Sequence, residues 1–391
     1  MIDVASCVNV GALPDPPPPS QPAAITIDPN RAAQGGSVSL LRMTTLDDHG
    51  GWPALLTALL DRNHLTSEQA RAAMATILAG DATPAQLIAF VVALRAKGES
   101  AEELSGLLDA VLANATLVPL SDELRGAAVD IVGTGGDSSH SINVSTMAAI
   151  VTAGAGVPVC KHGARAASSK CGTADVLEEL GVVLELGPEG VNRCVEEAGI
   201  GFCFAPAFHP AFRFAAPSRR EIGIPTVFNL LGPMANPGRV RRQVIGVANG
   251  AFAERMIETL RHHESTHAWV VHGGGLDELT TTGSSSVIEL RDGEVDHFEV
   301  NPAALGLATA TAADLAGGDP THNAAVVRRV LSGEAGPHRD IVVLNAAAGL
   351  VVGGRAATLA DGLTTAMESI DSGAAAATLN RFVATSRDAA N

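Results

Sequence analysis

Val129-Asp130-Ile131-Val132-Gly133-Thr134-Gly135-Gly136-Asp137 reads as a short β-branched strand, 129–132, running into a glycine-rich turn. A helix is expected to start near Ser145, which makes the stretch one strand–turn–helix unit. The unit recurs downstream. Apolar runs at 157–160, 182–185, 202–204, 243–248 and 268–272 alternate with helical stretches. That alternation predicts an α/β domain whose sheet is mostly parallel and flanked by helices. Residues 286–290 and 295–300 flank Asp292-Gly293 and predict a hairpin instead. Helices are expected again at about 322–332 and 360–388, and no internal repeat is visible.

Upstream of Val129 the period changes. Leu55, Leu56, Leu59 and Leu60 give residues 52–62 an apolar helical face. Thr66 with Gln69, and Ser100 with Glu103, have the spacing of capping boxes. Thr83 with Pro84 starts a further helix, and Gly80 and Gly98 follow helix ends. Four helices with short loops predict a small α-helical domain over 41–120, ahead of a larger α/β domain over 121–391. Residues 1–40 contain the run 16–19 of four prolines and Gly35-Gly36, and read as a disordered Pro/Gly-rich extension.

The 391 residues are 46% hydrophobic and 17% charged, which excludes a disordered or fibrous chain and allows a large core. Acidic residues outnumber basic ones by 42 to 26, a formal charge of −16, so a broad basic face for nucleic acid is not expected. A polyanionic ligand must be met by backbone donors, a few cations or a metal. Lysines occur only at 97, 161 and 170. Cys7, Cys160, Cys171, Cys194 and Cys203 form no C-x-x-C pair and read as reduced thiols of a cytoplasmic protein. No run is long enough to span a membrane, and residues 1–20 lack a basic region followed by an apolar stretch, so no signal peptide is expected.

Four segments carry the chemistry. Gly133 to Asp137 is either a backbone nest for an anion or a tight structural turn; it has neither the Walker A nor the Rossmann spacing. Lys161-His162-Gly163-Ala164-Arg165-Ala166-Ala167-Ser168-Ser169 gathers two cations, an imidazole and two hydroxyls, a set suited to phosphate or carboxylate. Asp277 and Glu278 follow three glycines and offer hard oxygen ligands suited to Mg2+, or else a solvated acidic turn. Arg219-Arg220-Glu221 is either a carboxylate clamp or a salt-bridged helix surface.

Taken together in their order and spacing, these segments resemble the anthranilate phosphoribosyltransferase family of tryptophan biosynthesis, from about residue 50 to 385. The resemblance rests on Gly133 to Asp137, Asn143-Val144-Ser145-Thr146, Lys161-His162-Gly163, Arg219-Arg220-Glu221, Asn229 to Pro233 with Asn236-Pro237, and Asp277-Glu278-Leu279-Thr280. It implies a helical domain to which a segment near 206–236 returns, a homodimer formed through that domain, and substrates bound between the domains. It implies transfer of phosphoribosyl from phosphoribosyl pyrophosphate to the amine of anthranilate. Phosphoribosyl pyrophosphate would bind at Gly133, Gly135, Gly136, Asp137, Ser141, Asn143, Ser145, Thr146, Lys161 and Ser169. Anthranilate would bind at Gly133, His162, position 164 and Arg219. Mg2+, two ions per site, would be held by Ser145, Asp277 and Glu278. No residue is assigned as an acid or base, and no nucleic acid or membrane is implied as partner.

The chain departs from the family pattern at Ala164, where the family has an asparagine that contacts the acceptor, and at Ser141, usually threonine. Ala164 motivates a second reading, a relative that ribosylates another aromatic acceptor. A nucleoside phosphorylase and a non-catalytic nucleotide- or metal-binding regulator are further readings.

Overall fold

The computed structural model describes residues 44–390 apart from 138 and 167–169. The extension expected over 1–40 and the candidate ligand Ser169 lie outside the described residues. Four helices come first: α1 (Gly51–Leu60), α2 (Ser67–Ala79), α3 (Pro84–Lys97) and α4 (Ala101–Ala113). Thr66, Thr83 and Ser100 cap the last three. Each accepts from the backbone N–H three residues on, and the side chain there returns to the backbone N–H of the cap.

Short α5 (Asp122–Ala127) leads into the sheet. Strands β1 (Val129–Gly133), β2 (Val159–Gly163), β3 (Ile200–Phe204), β4 (Arg242–Gly246) and β5 (His267–His272) pair in parallel. Strands β6 (Ser285–Arg291) and β7 (Glu294–Val300) add an antiparallel hairpin. The order is β3-β2-β1-β4-β5-β6-β7. Asp292 and Gly293 turn the hairpin at φ 51° and 89°, the doubly left-handed turn that an Asp-Gly pair accommodates. Helices α6 (Val144–Gly154), α7 (Thr173–Glu179) and α8 (Pro188–Ala198) link the first three strands. Between β3 and β4 come α9 (Ala205–Phe208), α10 (Ala216–Ile222) and α11 (Val227–Met234). Helix α12 (Ala253–His262) joins β4 to β5. Helices α13 (Pro320–Leu331), α14 (Pro337–Val352), α15 (Leu359–Asp371) and α16 (Ala374–Ala389) close the chain.

Strand alternation splits the core in two. Val244, Trp269 and Val271 face one apolar cluster with α6, α14 and α16; Ile245, Ala268 and Val270 face the other. The second cluster also holds α1 to α4 and the α11 residues Val227, Phe228, Leu230 and Leu231, so residues after β3 pack with the N-terminal helices.

Four expectations need correction. Residues 182–185 are not a strand. Val182, Leu184 and Leu186 are buried as a strand's alternate residues would be, but in a loop, and the Val183 N–H donates to Ser386 Oγ on α16. The stretch 360–388 is two helices, broken at Gly373 with φ 79°. The second strand runs to Gly163, so Lys161 and His162 lie within β2 rather than in a loop after it. Helix α14 was not expected. Its residues 341–352 are all buried, so no polar face marks it as a helix.

Candidate active site

The chain winds outward from β1 through β2 to β3, then crosses to β4 on the other side of β1. Ligands of open α/β sheets bind beyond the carboxyl ends of the strands at such a reversal. Gly133 ends β1 and Gly246 ends β4, in register with each other. Both lie against Asp277: a Cβ on Gly133 would collide with its Oδ2, and one on Gly246 with its carbonyl oxygen. The acidic pair thus occupies space that only glycine at both strand ends leaves open.

The two acids reach different donors. Asp277 Oδ2 accepts from the Gly135 N–H at 2.7 Å, and Glu278 Oε1 from the Ser145 N–H at 3.2 Å in the first turn of α6. Burial, with the charge of Asp137 next, pushes the Asp277 carboxyl up to about 6. Burial and then Asp277 and Asp137 hold Glu278 well above the ordinary carboxylate range. Lys161 on β2 faces this cluster; its Nζ donates to the Ile131 carbonyl and lies 3.4 Å from Ser145 Oγ. Burial pulls its ammonium pKa down, and Asp130, Glu278 and Asp277 oppose that. Three carboxylates therefore crowd against a single lysine. Hard oxygen donors with this excess of negative charge fit a divalent cation. Among the described residues no three His, Cys, Asp or Glu side chains are gathered so that they alone could hold a metal ion.

The other residues expected at the phosphoribosyl pyrophosphate site include the glycine turn and its neighbours. Gly135 and Gly136 have φ 67° and 74° and are exposed, with open space where a Cβ would stand. Asp137 accepts from Ser139 N–H and Oγ, and Ser139 Oγ lies 3.2 Å from Ser141 Oγ. Asn143 is held by Cys171 and by Asn323, whose Nδ2 donates to its Oδ1 at 2.8 Å. Thr146 is buried, 3.4 Å from the Thr173 hydroxyl.

A second group lies on rings. Arg219 sits 4.8 Å over the Phe228 ring. From Phe228 contacts run to Phe212 at 5.6 Å, to His209 at 5.4 Å and to His162 at 5.0 Å. The paired-arginine clamp does not form. Neighbours on α10 face apart; Arg219 is half-buried, Arg220 is exposed, and neither makes an ion pair among the described residues. His162 Nδ1 faces the Gly232 carbonyl at 3.1 Å, so Nδ1 carries the proton and Nε2 keeps its lone pair. That Nε2 is buried with no partner among the described residues, and burial lowers the imidazole pKa to about 3, so the ring is neutral. Burial likewise takes His209 to about 4. Ala164 is exposed one residue past β2, its carbonyl accepting from Ala174 N–H.

Sequence reading missed several supporting residues. Asp130 is fully buried on β1, accepts from the His162 N–H and from Asn236 Nδ2 at 2.7 Å, and is pushed up to about 6 by burial. His209 gave no motif signal. Asn345 on α14 grips Leu279, the residue after the acidic pair.

Comparison with known proteins agrees with this arrangement. The profile of the glycosyl transferase family α/β domain matches residues 125–376, and that of its helical bundle domain matches 53–115. An Arthrobacter sp. (strain FB24) anthranilate phosphoribosyltransferase is 53% identical over 342 residues, covering 86% of this chain and 96% of the relative. The crystal structure of the Thermus thermophilus enzyme of that name superposes with TM-score 0.81 at 40% identity, covering 85% of this chain and 99% of that one. The Saccharomyces cerevisiae enzyme in complex with PRPP and Mg gives TM-score 0.80 at 28% identity, covering 88% and 99%. An acidic pair seated on two strand-end glycines, over a parallel sheet beside a helical bundle, thus lies in a chain that matches these relatives across nearly their full length, and the chain belongs to the anthranilate phosphoribosyltransferase family.

Proposed function

We propose that the chain transfers 5-phosphoribosyl from phosphoribosyl pyrophosphate to the amine of anthranilate, releasing pyrophosphate, as a Mg2+-dependent glycosyltransferase. The observation that carries the reading is the crevice at the β1–β4 reversal, where Asp277 and Glu278 crowd against Asp137 on one side and Lys161 on the other, beside the exposed turn of Gly135 and Gly136. Gly133, Gly135, Gly136, Asp137, Ser141, Asn143, Ser145, Thr146, Lys161 and Ser169 serve the donor. Ser145, Asp277 and Glu278 would hold Mg2+, two ions per site. Mg2+ supplies, when bound, neutralisation of the charge that builds on the leaving diphosphate.

This chain's own groups do the rest. Lys161 and the N-terminus of α6 place positive potential beside the departing diphosphate. Arg219, backed by Phe228, offers a guanidinium to the anthranilate carboxylate. His162 presents an unprotonated Nε2 that can accept a hydrogen bond from the amine. An aniline nitrogen is already neutral near pH 7, so orientation matters more than a strong base. The helical segment 41–120 with the 206–236 return forms one domain, 121–391 the other, and the protein works as a cytoplasmic homodimer.

Ala164 favours a second reading, another aromatic acceptor, because a methyl group replaces the amide of the family pattern. Product analysis with phosphoribosyl pyrophosphate, Mg2+ and a panel of aromatic amines tests both. Phosphoribosyl anthranilate is the expected product. Turnover of a different amine alone selects the second reading, and no donor consumption with any amine removes both. Asp277→Asn with Glu278→Gln is expected to raise the Mg2+ requirement sharply; unchanged metal dependence would remove the acidic pair from the metal.

A further inference from the structure

Asn345 is the one polar side chain among residues 341–352 of α14, and it is 2% exposed. An amide in such a stretch costs stability unless its hydrogen bonds are made elsewhere. Its Oδ1 accepts from the Leu279 N–H at 3.0 Å, and its Nδ2 donates to the Leu279 carbonyl at 2.8 Å and the Ile341 carbonyl at 2.9 Å. Both polar groups of one residue's backbone are thus gripped by a single side chain. Leu279 directly follows Asp277 and Glu278 and is itself fully buried. On the other side the loop rests on Gly133, Gly246 and Gly273, where any Cβ would strike Asp277 or the Glu278 carbonyl. The acidic pair is therefore held from the helix side by a polar clip and from the sheet side by bare backbone.

We infer that Asn345 is a positioning residue for the donor site, fixing the register of the 277–279 loop so that both carboxylates meet the divalent cation and diphosphate. The inference rests on the reading that Asp277 and Glu278 hold that metal. Isosteric packing of α14 would be served by leucine, and a helix-to-loop contact alone would be served by any apolar residue. The bidentate grip is what only asparagine supplies here.

The test is calorimetric titration with phosphoribosyl pyrophosphate at several Mg2+ concentrations, without acceptor, so that no turnover occurs. The proteins are wild type, Asn345→Ala, Asn345→Leu and Glu278→Gln. Asn345→Ala and the similarly branched Asn345→Leu are expected to weaken Mg2+-dependent donor binding by about 10- to 100-fold, while in separate steady-state assays the KM for anthranilate moves less than about twofold. Amide exchange at Leu279 should accelerate in both while Trp269 in β5 stays protected. Weakening in Glu278→Gln alone overturns the role of Asn345 and leaves the metal reading standing. No weakening in any variant overturns the metal reading and the inference with it. Equal loss of protection at Leu279 and Trp269, with anthranilate KM rising in parallel, marks a purely structural residue and also overturns it. In wild type, exchange at Leu279 as fast as at exposed Gly274 would show that the grip is absent, whether or not the variants fold.

Discussion

Ala164 stands one residue past the end of β2, exposed, where the family pattern carries asparagine. Its methyl group neither donates nor accepts. One lost hydrogen bond is worth about 0.5–1.5 kcal/mol, roughly 2- to 13-fold in binding. If anthranilate is the acceptor, Ala164→Asn is expected to raise kcat/KM for anthranilate and leave the affinity for phosphoribosyl pyrophosphate unchanged. If a bulkier amine is the acceptor, the same change costs activity on that amine, because it fills the vacated volume. Steady-state kinetics with each amine varied at saturating donor separates the two; no change with any amine would mean that position 164 does not touch the acceptor. Gly133 makes the opposite case, a residue defined by having no side chain. In Gly133→Ala the new Cβ meets Asp277 Oδ2, which must swing away from the Gly135 N–H. A displacement of about 1 Å at a reacting site costs on the order of 100-fold, so kcat/KM should fall by about that factor. A fall in kcat/KM below about threefold would show that Asp277 tolerates the shift and that its seat is not tight.

Between elements, α3 and α12 are tied through one buried acid. Glu99 follows α3, its side chain is fully buried, and its Oε2 lies 3.2 Å from Arg255 on α12 and 4.0 Å from Arg95. Burial raises the Glu99 pKa, and the two arginines oppose the shift without cancelling it. A raised folded-state pKa means that this carboxyl favours folding most when protonated, and that the benefit is lost as pH rises through the folded pKa. Arg255→Ala leaves Glu99 with Arg95 alone. Destabilisation of about 1–3 kcal/mol is expected near neutral pH, by denaturant unfolding, since a buried acceptor loses its partner. The loss should shrink as pH falls through the raised pKa of Glu99, where the carboxyl takes up a proton and needs no cation. A pH-independent loss would mean that Arg255 acts by packing on Phe252, whose ring lies 5.7 Å from its guanidinium, and not through Glu99. Elements were legible where an end carries its own chemistry. Thr66, Thr83 and Ser100 each announce a helix through one local hydrogen-bond pair. Helix α14 was not legible, because a helix buried on every side has no period for a pattern to show. Residues 182–185 misled for the converse reason: an apolar extended run need not join a sheet, and here helix α16 rather than a neighbouring strand covers it.

For the whole molecule the question is how a chain of net charge −16 binds a diphosphate. The fold answers locally. It converges backbone N–H groups, one buried lysine and an acid pair suited to a divalent cation at the strand reversal between β1 and β4. The motif residues of this site were legible because their types are unusual together. Asp130 and Asn345 were not, since each works by gripping neighbours that only the folded chain brings near: Asn345 lies 66 positions from Leu279. Every described group of the site falls between residues 130 and 345, and the family profiles begin at residue 53. Residues 1–40 are proline-rich and have no apolar period with which to add to either core. Deleting them is therefore expected to leave kcat/KM and the sedimentation coefficient of the assembled protein essentially unchanged, apart from the lost mass. The two measurements fail in different ways. Lower kcat/KM at unchanged assembly would place the segment at the crevice. A monomer, where the full chain sediments as a dimer, would instead make it part of the subunit contact and take that contact beyond the helices the family resemblance implies.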